Sequence, residues 1–197
     1  MSADIPTSDR VNIKSVEVLA DDYYVLKKTT LEYQRNDGEW QTFSRETYDR
    51  GNGATLLPYN RKTGNIVLIK QFRFPVFVNG HDGMLIEACA GLLDERDPVT
   101  CIRAEAEEET GLSIENVVPV LEIFMSPGSV TERLHFFIAE YCESDKTSAG
   151  GGVLMEGEDI EVFEIHIDKA LAMIDSGEIA DAKTIILIQH LRLKGLI

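Results

Sequence analysis

The sequence predicts an α+β protein: a mixed α/β sandwich preceded by a small antiparallel β extension. Three observations carry this. Residues 11–18, 24–33 and 40–48 are rich in β-branched and aromatic residues and read as strands with no helical run between them. From residue 54 onward, strand-like runs alternate with a few helical ones, the pattern of a sheet covered by helices. One of those helices carries its own start and stop signals around a cluster of glutamates.

In the N-terminal block, Asn36-Asp37-Gly38 marks the turn of a hairpin. The block is too small to bury much apolar surface alone. It is expected to lean on the rest of the chain or on a second subunit. Arg50-Gly51-Asn52-Gly53 is a loop, and the predicted organisation is an extension over 1–49 and a main domain over 50–197. Strands follow at 54–59 and 65–72, joined by a turn at 60–64. The apolar run 84–92 reads as another strand. In the next segment Asp97 suits the N-cap and Pro98 the first helical position. Val99, Ile102 and Ala106 recur at helical spacing as a buried face, and Gly111 stops the helix. Later strands are expected at 117–124, 134–141 and 161–167, helices at 168–175 and 182–193, and a mobile loop at Ala149-Gly150-Gly151-Gly152.

Bulk properties limit the function. The net charge of −15 speaks against general nucleic-acid binding and against docking on an anionic membrane, which both need a basic footprint. An acidic protein that handles phosphate needs a cation to bring the two together. The three cysteines, Cys89, Cys101 and Cys142, are odd in number and widely spaced without a CxxC pair. They argue against a disulfide framework or zinc knuckle and for a reducing, cytoplasmic setting. The first residues hold no apolar signal core, and no apolar run approaches the roughly 20 residues of a membrane span. The four histidines are scattered, and no serine or cysteine has a neighbouring base that would suggest a nucleophile.

The chemistry concentrates in Ala90 to Leu112, AGLLDERDPVTCIRAEAEEETGL. At about 100° per residue, Glu105, Glu108 and Glu109 fall within roughly 100° of arc, while Glu107 points away. Like charges at i,i+4 cost roughly 0.2–0.5 kcal/mol per pair. On charge alone such a face reads as solvated surface. The alternative is a site for a hard divalent cation, which takes oxygen ligands and is completed by substrate phosphates. The glycine loop ahead of the helix and its apolar opposite face favour the second reading.

Gly91, Glu105, Ala106, Glu108, Glu109, Gly111 and Leu112 match the box G-x5-E-x7-R-E-U-x-E-E-x-G-U, where U is apolar. The chain thereby resembles the Nudix hydrolase family. It departs from the box in a stretch one residue shorter after Gly91, in Asp97 near the first Glu position, and in Ala104 where the arginine belongs. In the family that arginine orients the acidic side chains, and whether neighbouring Arg103 compensates for its loss is left open by the sequence. The stretches YDRGNGAT, QFR, VNG, EACAGLLD, MSPG, HFFIAEY, AGGGV, EDIEV and GEI extend the similarity to residues 10–190, closest to the subfamily that hydrolyses GDP-mannose and near the ADP-ribose pyrophosphatases.

The resemblance implies a Nudix α/β/α sandwich with a mixed sheet. It implies an Mg²⁺-dependent homodimer, with Mn²⁺ as a substitute ion, that pairs through the N-terminal extension and splits a nucleotide sugar, GDP-mannose, into GMP and mannose 1-phosphate. The implied metal ligands are the carbonyl of Ala90, Glu105, Glu108, Glu109 and Glu158, with Glu156 competing for the last place. The implied catalytic carboxylates are Glu109 and Glu158. Implied substrate contacts are Tyr23, Arg45, Glu46, Arg73, Ala90, Glu132 and Lys183. Ser44 stands where a relative has lysine. The rival readings are ADP-ribose hydrolysis, which differs only in the base and sugar pockets, and a nucleotide-sugar-binding regulator without catalysis.

Overall fold

The N-terminal runs form three strands, β1 (Val11–Asp21), β2 (Val25–Gln34) and β3 (Trp40–Asp49), paired in order as an antiparallel meander. The predicted hairpin closes with Arg35 N–H on the Glu39 carbonyl at 2.8 Å and Gly38 at φ +88°. This is a computed structural model, described at residues 8–153, 155 and 157–197. The chain divides into two compact units. One holds the residues up to Gly51 together with Ser126–Glu132. Ser126–Glu132 is laced to β3 by Tyr48 N–H to Ser129 O (2.8 Å) and Thr131 N–H to Tyr48 O (3.1 Å). No residue of β1, β2 or β3 is buried, and Val16, Val18 and Leu19 are exposed. The strands form, but within this chain they enclose no core.

The second unit, Asn52–Met125 with Arg133–Ile197, has the core. Its strands are β4 (Gly53–Asn60), β5 (Asn65–Phe72), β6 (Met84–Glu87), β7 (Cys89–Leu92), β8 (Val118–Phe124), β9 (Arg133–Glu140) and β10 (Glu161–His166). The sheet runs β10-β5-β4-β9-β8, with β6 on β5 and β7 on β4. The β4–β9 pair is parallel and the other pairs are antiparallel, so the sheet is mixed. Successive side chains go to opposite faces. Leu57, Ile66 and Leu68 pack with Ala170 and Met173 of α3 (Ile167–Ser176) and Leu187, Ile188 and Leu191 of α4 (Ala182–Leu193). Leu56, Val67 and Cys89 pack on the other face with Ile102 and Ala106 of α2 (Pro98–Thr110). The result is the expected α/β/α sandwich.

Three expectations are corrected. The run 84–92 is two strands, because β4 and β5 pair only at Tyr59–Asn60 and Ile66–Asn65. Beyond that they separate, β6 follows β5, and β7 crosses to β4. A short helix, α1 (Phe74–Val78), lies where none was predicted. Val99 is not part of the buried face of α2. It is 41% exposed, and burial starts at Cys101.

The ends of α2 follow the sequence closely. The Asp97 carboxylate accepts from Val99 N–H (3.1 Å) and Thr100 N–H (3.0 Å), and Pro98 opens the helix. Gly111 closes it in the left-handed region at φ +73°. The glycine loop that the sequence marks as mobile is pinned to this end: Gly151 N–H reaches Glu109 O (2.9 Å) and Gly152 N–H reaches Glu108 O (3.1 Å). A Cβ on Gly111 would lie 2.2 Å from the Ser148 carbonyl oxygen, and one on Gly150 would lie 2.4 Å from that of Glu109. Gly111→Ala therefore adds left-handed strain to a backbone clash. We expect it to destabilise the protein by about 2 kcal/mol or more, a fall in Tm of roughly 4–8 °C in thermal denaturation. An unchanged Tm would contradict the close crossing.

Candidate active site

β7 and α2 face each other, and their contact builds the acidic centre. Glu109, in the last turn of α2, is 2% exposed, and its Oε2 accepts the Ala90 N–H at 3.1 Å. Burial pushes its carboxyl up to about 8. The Ala90 N–H opposes this, and the charges of Glu105 and Glu158 add to it. Glu105 lies one turn earlier on α2 and packs over Gly91, where a Cβ would meet its carboxyl carbon at 2.2 Å. Its carboxyl is also raised, first by burial and further by Glu108 and Glu158, against the pull of Arg96. Glu158 enters from the loop after the glycines, where its Oε2 accepts Val153 N–H at 2.8 Å. Glu108 is exposed at the rim. Glu156 lies outside the described residues.

With Ala104 at the box arginine position, Glu105 finds another cation. Arg96, from the loop before α2, donates Nη2 to Glu105 Oε1 at 3.0 Å and to the Leu92 carbonyl at 3.3 Å. Arg103 does not take this role: its Nε donates to the Ile114 carbonyl at 3.0 Å. Nothing in the local spacing singles out Arg96, since it meets Glu105 only once the loop folds back.

The donor set fits a hard divalent cation. Every candidate ligand is an oxygen: the carboxylates of Glu105, Glu108, Glu109 and Glu158, and the Ala90 carbonyl. The carboxyls of Glu105 and Glu109 are raised first by burial and then by neighbouring carboxylates, and a cation would favour their charged forms. Among the described residues, no three acidic, cysteine or histidine side chains already stand at chelating positions. Glu109 is turned to Ala90 N–H and Glu105 to Arg96.

A second polar group lies on the same unit. Arg73, at the end of β5, donates Nε to Glu87 Oε2 at 2.7 Å. Lys183, in the first turn of α4, donates to Glu87 Oε1 and pairs with Asp181 at 3.1 Å. Lys183 is thus a buried, twice-paired cation. The charge of Glu109 also acts on Arg73, behind burial and the Glu87 pairing. Sequence reasoning passed over Glu87 and Asp181. Glu87 had a readable signal: it is the one charged residue in the apolar run 84–92.

Tyr23, Arg45, Glu46 and Glu132 belong to the first unit. Tyr23 is exposed and packs edge-on against Tyr24, with ring centroids 4.5 Å apart. The Arg45 guanidinium sits 4.3 Å over the Phe43 ring. Glu46 lies opposite Lys28 in the β2–β3 register. Glu132 is 3.6 Å from Arg50. Thiol chemistry is absent from the centre. Cys89 and Cys101 are buried, burial raises both thiols (Cys101 to about 11), and each donates to a backbone carbonyl.

Comparisons with known proteins agree with this geometry. The profile described as the GDP-mannose pyrophosphatase NudK N-terminal domain matches residues 10–48, and the NUDIX domain profile matches residues 49–186. A GDP-mannose pyrophosphatase of Citrobacter koseri is 50% identical over 191 residues, covering 96% of this chain and 99% of its own length. One of Enterobacter sp. (strain 638) is 51% identical over 188 residues, with 95% and 97% covered. An ADP compounds hydrolase of solved structure aligns with a TM-score of 0.72 over 98% of this chain and 100% of its own, at 14% identity, a likeness of fold. Because the NUDIX profile spans well over half of the chain and includes the glycine and the glutamates gathered on α2, the chain belongs to the Nudix hydrolase family.

Proposed function

We propose that this chain hydrolyses the pyrophosphate bond of GDP-mannose, giving GMP and mannose 1-phosphate, with Mg²⁺ as the working cation and Mn²⁺ as a substitute. The reaction class rests on one observation, the acidic centre in which buried Glu109 and half-buried Glu105 and Glu158 gather by Ala90. The substrate rests on the relatives that share half of their residues with this chain over nearly its full length.

The carboxylates of Glu105, Glu108, Glu109 and Glu158 and the Ala90 carbonyl would hold the cation. When bound, it neutralises phosphate charge and lowers the pKa of a water molecule. The side chains supply the rest. Water adds its oxygen to one phosphorus while the bond from that phosphorus to the bridging oxygen breaks, and one carboxylate takes the water's proton. Glu109 and Glu158 are the two carboxylates proposed for that transfer: Glu109 is buried beside Ala90, and Glu158 enters from the loop after the glycines. Arg73 offers its guanidinium fork to the diphosphate. Tyr23, Arg45, Glu46, Glu132 and Lys183 complete the proposed substrate contacts.

We further assign residues 1–49 to pairing with a second copy of the chain and residues 50–197 to catalysis. Three strands with no buried residue and with Val16, Val18 and Leu19 exposed support the first part. A reducing cytoplasmic setting suits the three unpaired cysteines.

The deciding assay couples product release to a phosphatase, with GDP-mannose and ADP-ribose as parallel substrates, with and without Mg²⁺. Metal-dependent turnover that favours GDP-mannose supports the proposal. Preference for ADP-ribose replaces the substrate, and no hydrolysis of either makes the chain a binding protein.

A further inference from the structure

Glu87 occupies a position where stability gives it no reason to be. It is 3% exposed, in a strand between Ile86 and Ala88, which are both in the apolar core. A buried carboxylate is costly unless paired, and even well-paired buried ions are on average no more stabilising than apolar side chains of the same volume. Glu87 is fully paired, and the division of its two oxygens is specific. Oε2 takes Arg73 Nε at 2.7 Å, and Oε1 takes Lys183 Nζ.

The partners are themselves held. Lys183 also pairs with Asp181, whose Oδ2 caps α4 through Thr184 N–H at 3.0 Å. The Thr184 hydroxyl accepts the N–H of Ala88, next in sequence to Glu87, at 2.7 Å. Arg73 is fixed at its backbone by N–H to Gly83 O at 2.7 Å. Since Glu87 engages only Nε, both Nη groups of Arg73 donate to no protein acceptor among the described residues, and the side chain is 39% exposed. The outcome is an arginine locked along its stem with its terminal N–H fork open. That fork matches two oxygens of a phosphate.

We propose that Glu87 is a positioning residue for diphosphate recognition: it clamps Arg73 Nε, with Lys183 as counter-ion, so that the Nη fork is preset for the substrate's diphosphate. This rests on the pyrophosphatase reading for the identity of the ligand, but not on which nucleotide sugar is hydrolysed. Presetting the fork removes the rotamer freedom that a free arginine would lose on binding.

The test is a double-mutant cycle with Glu87→Gln, Arg73→Ala and both together. Two quantities are read: binding of inorganic diphosphate in the presence of Mg²⁺, by calorimetry, and the split between KM and kcat. Glu87→Gln is expected to weaken diphosphate binding about tenfold and to raise KM in step, with kcat within about threefold of wild type. In the Arg73→Ala background the same change should add nothing. Equal losses in both backgrounds, or a lowered kcat at constant KM (the mark of fewer folded molecules), overturn the proposal. Arg73→Lys keeps the charge and loses the fork, so it should bind diphosphate no better than Arg73→Ala. Wild-type affinity in that variant also overturns the proposal, even if Glu87→Gln fails to fold. Wild-type turnover of GDP-mannose is scored separately, and its absence sinks the substrate assignment while leaving the diphosphate cycle readable.

Discussion

Replacing Glu109 by glutamine is expected to reduce Mg²⁺-dependent hydrolysis by about a thousandfold or more, yet to make the metal-free protein more stable at pH 8. Both outcomes come from one environment. The Glu109 carboxyl is buried between α2 and β7, and burial with the nearby charges of Glu105 and Glu158 raises it from 4.5 to about 8. For a carboxyl raised in the folded state, the stability advantage is full below the unfolded value of 4.5. It is lost as pH climbs to about 8 and stays lost above that. The ionised form then weighs on the fold by an amount on the order of 4 kcal/mol. Glutamine is neutral at every pH and keeps an oxygen for the Ala90 N–H. In chelator, melts of the wild type should therefore fall between pH 5 and pH 8, while those of Glu109→Gln stay flatter. Mg²⁺ should restore the wild type at pH 8 and do little for the variant, because it binds the ionised centre. Near-full activity in Glu109→Gln, or a variant less stable than wild type at pH 8 without metal, would overturn this account.

The parts of this protein legible in its sequence are those decided by neighbours along the chain. Asp97, Pro98 and Gly111 set the ends of α2 because capping is chemistry between residues a few positions apart, and the structure keeps all three. The hairpin at Arg35–Glu39 is legible for the same reason. The split of 84–92 into β6 and β7 is not, since the run is apolar apart from Glu87 and shows no alternation or turn signal to mark a break. The five-residue α1, with proline in its first turn and four β-branched or aromatic residues around it, carries too little period to be read as helix. At the site, the carboxylates on α2 were visible through helical spacing. The long-range pairings of the site were not. Glu87 meets Lys183 across 96 positions of sequence, and Arg96 reaches Glu105 by a loop reversal. Pairings of that range depend on the sheet and have no local signature.

Gly91→Ala should separate function from fold more cleanly than any carboxylate change. Gly91 does not need glycine for its backbone, because it is not among the residues with positive φ. Alanine is conformationally acceptable in β7. What it lacks is room: its Cβ would stand 2.2 Å from the Glu105 carboxyl carbon and 2.4 Å from Oε1. The obstacle is the far end of a flexible side chain, so Glu105 can swing aside. That motion breaks its bond to Arg96, an exposed ion pair worth at most about 1 kcal/mol. Tm should fall by less than about 4 °C. The displaced carboxylate, however, is one of the proposed cation ligands, and it would stand an ångström or more from its working place. A shift of that size in a positioned group costs about a hundredfold in rate. We therefore expect kcat/KM to drop by at least about a hundredfold and the Mg²⁺ concentration for half-activity to rise, with the melt nearly unchanged. A large loss of Tm would mean that the packing of β7 on α2 tolerates no methyl group and that the glycine is structural. Unchanged activity at unchanged Mg²⁺ dependence would remove Glu105 from the ligand set.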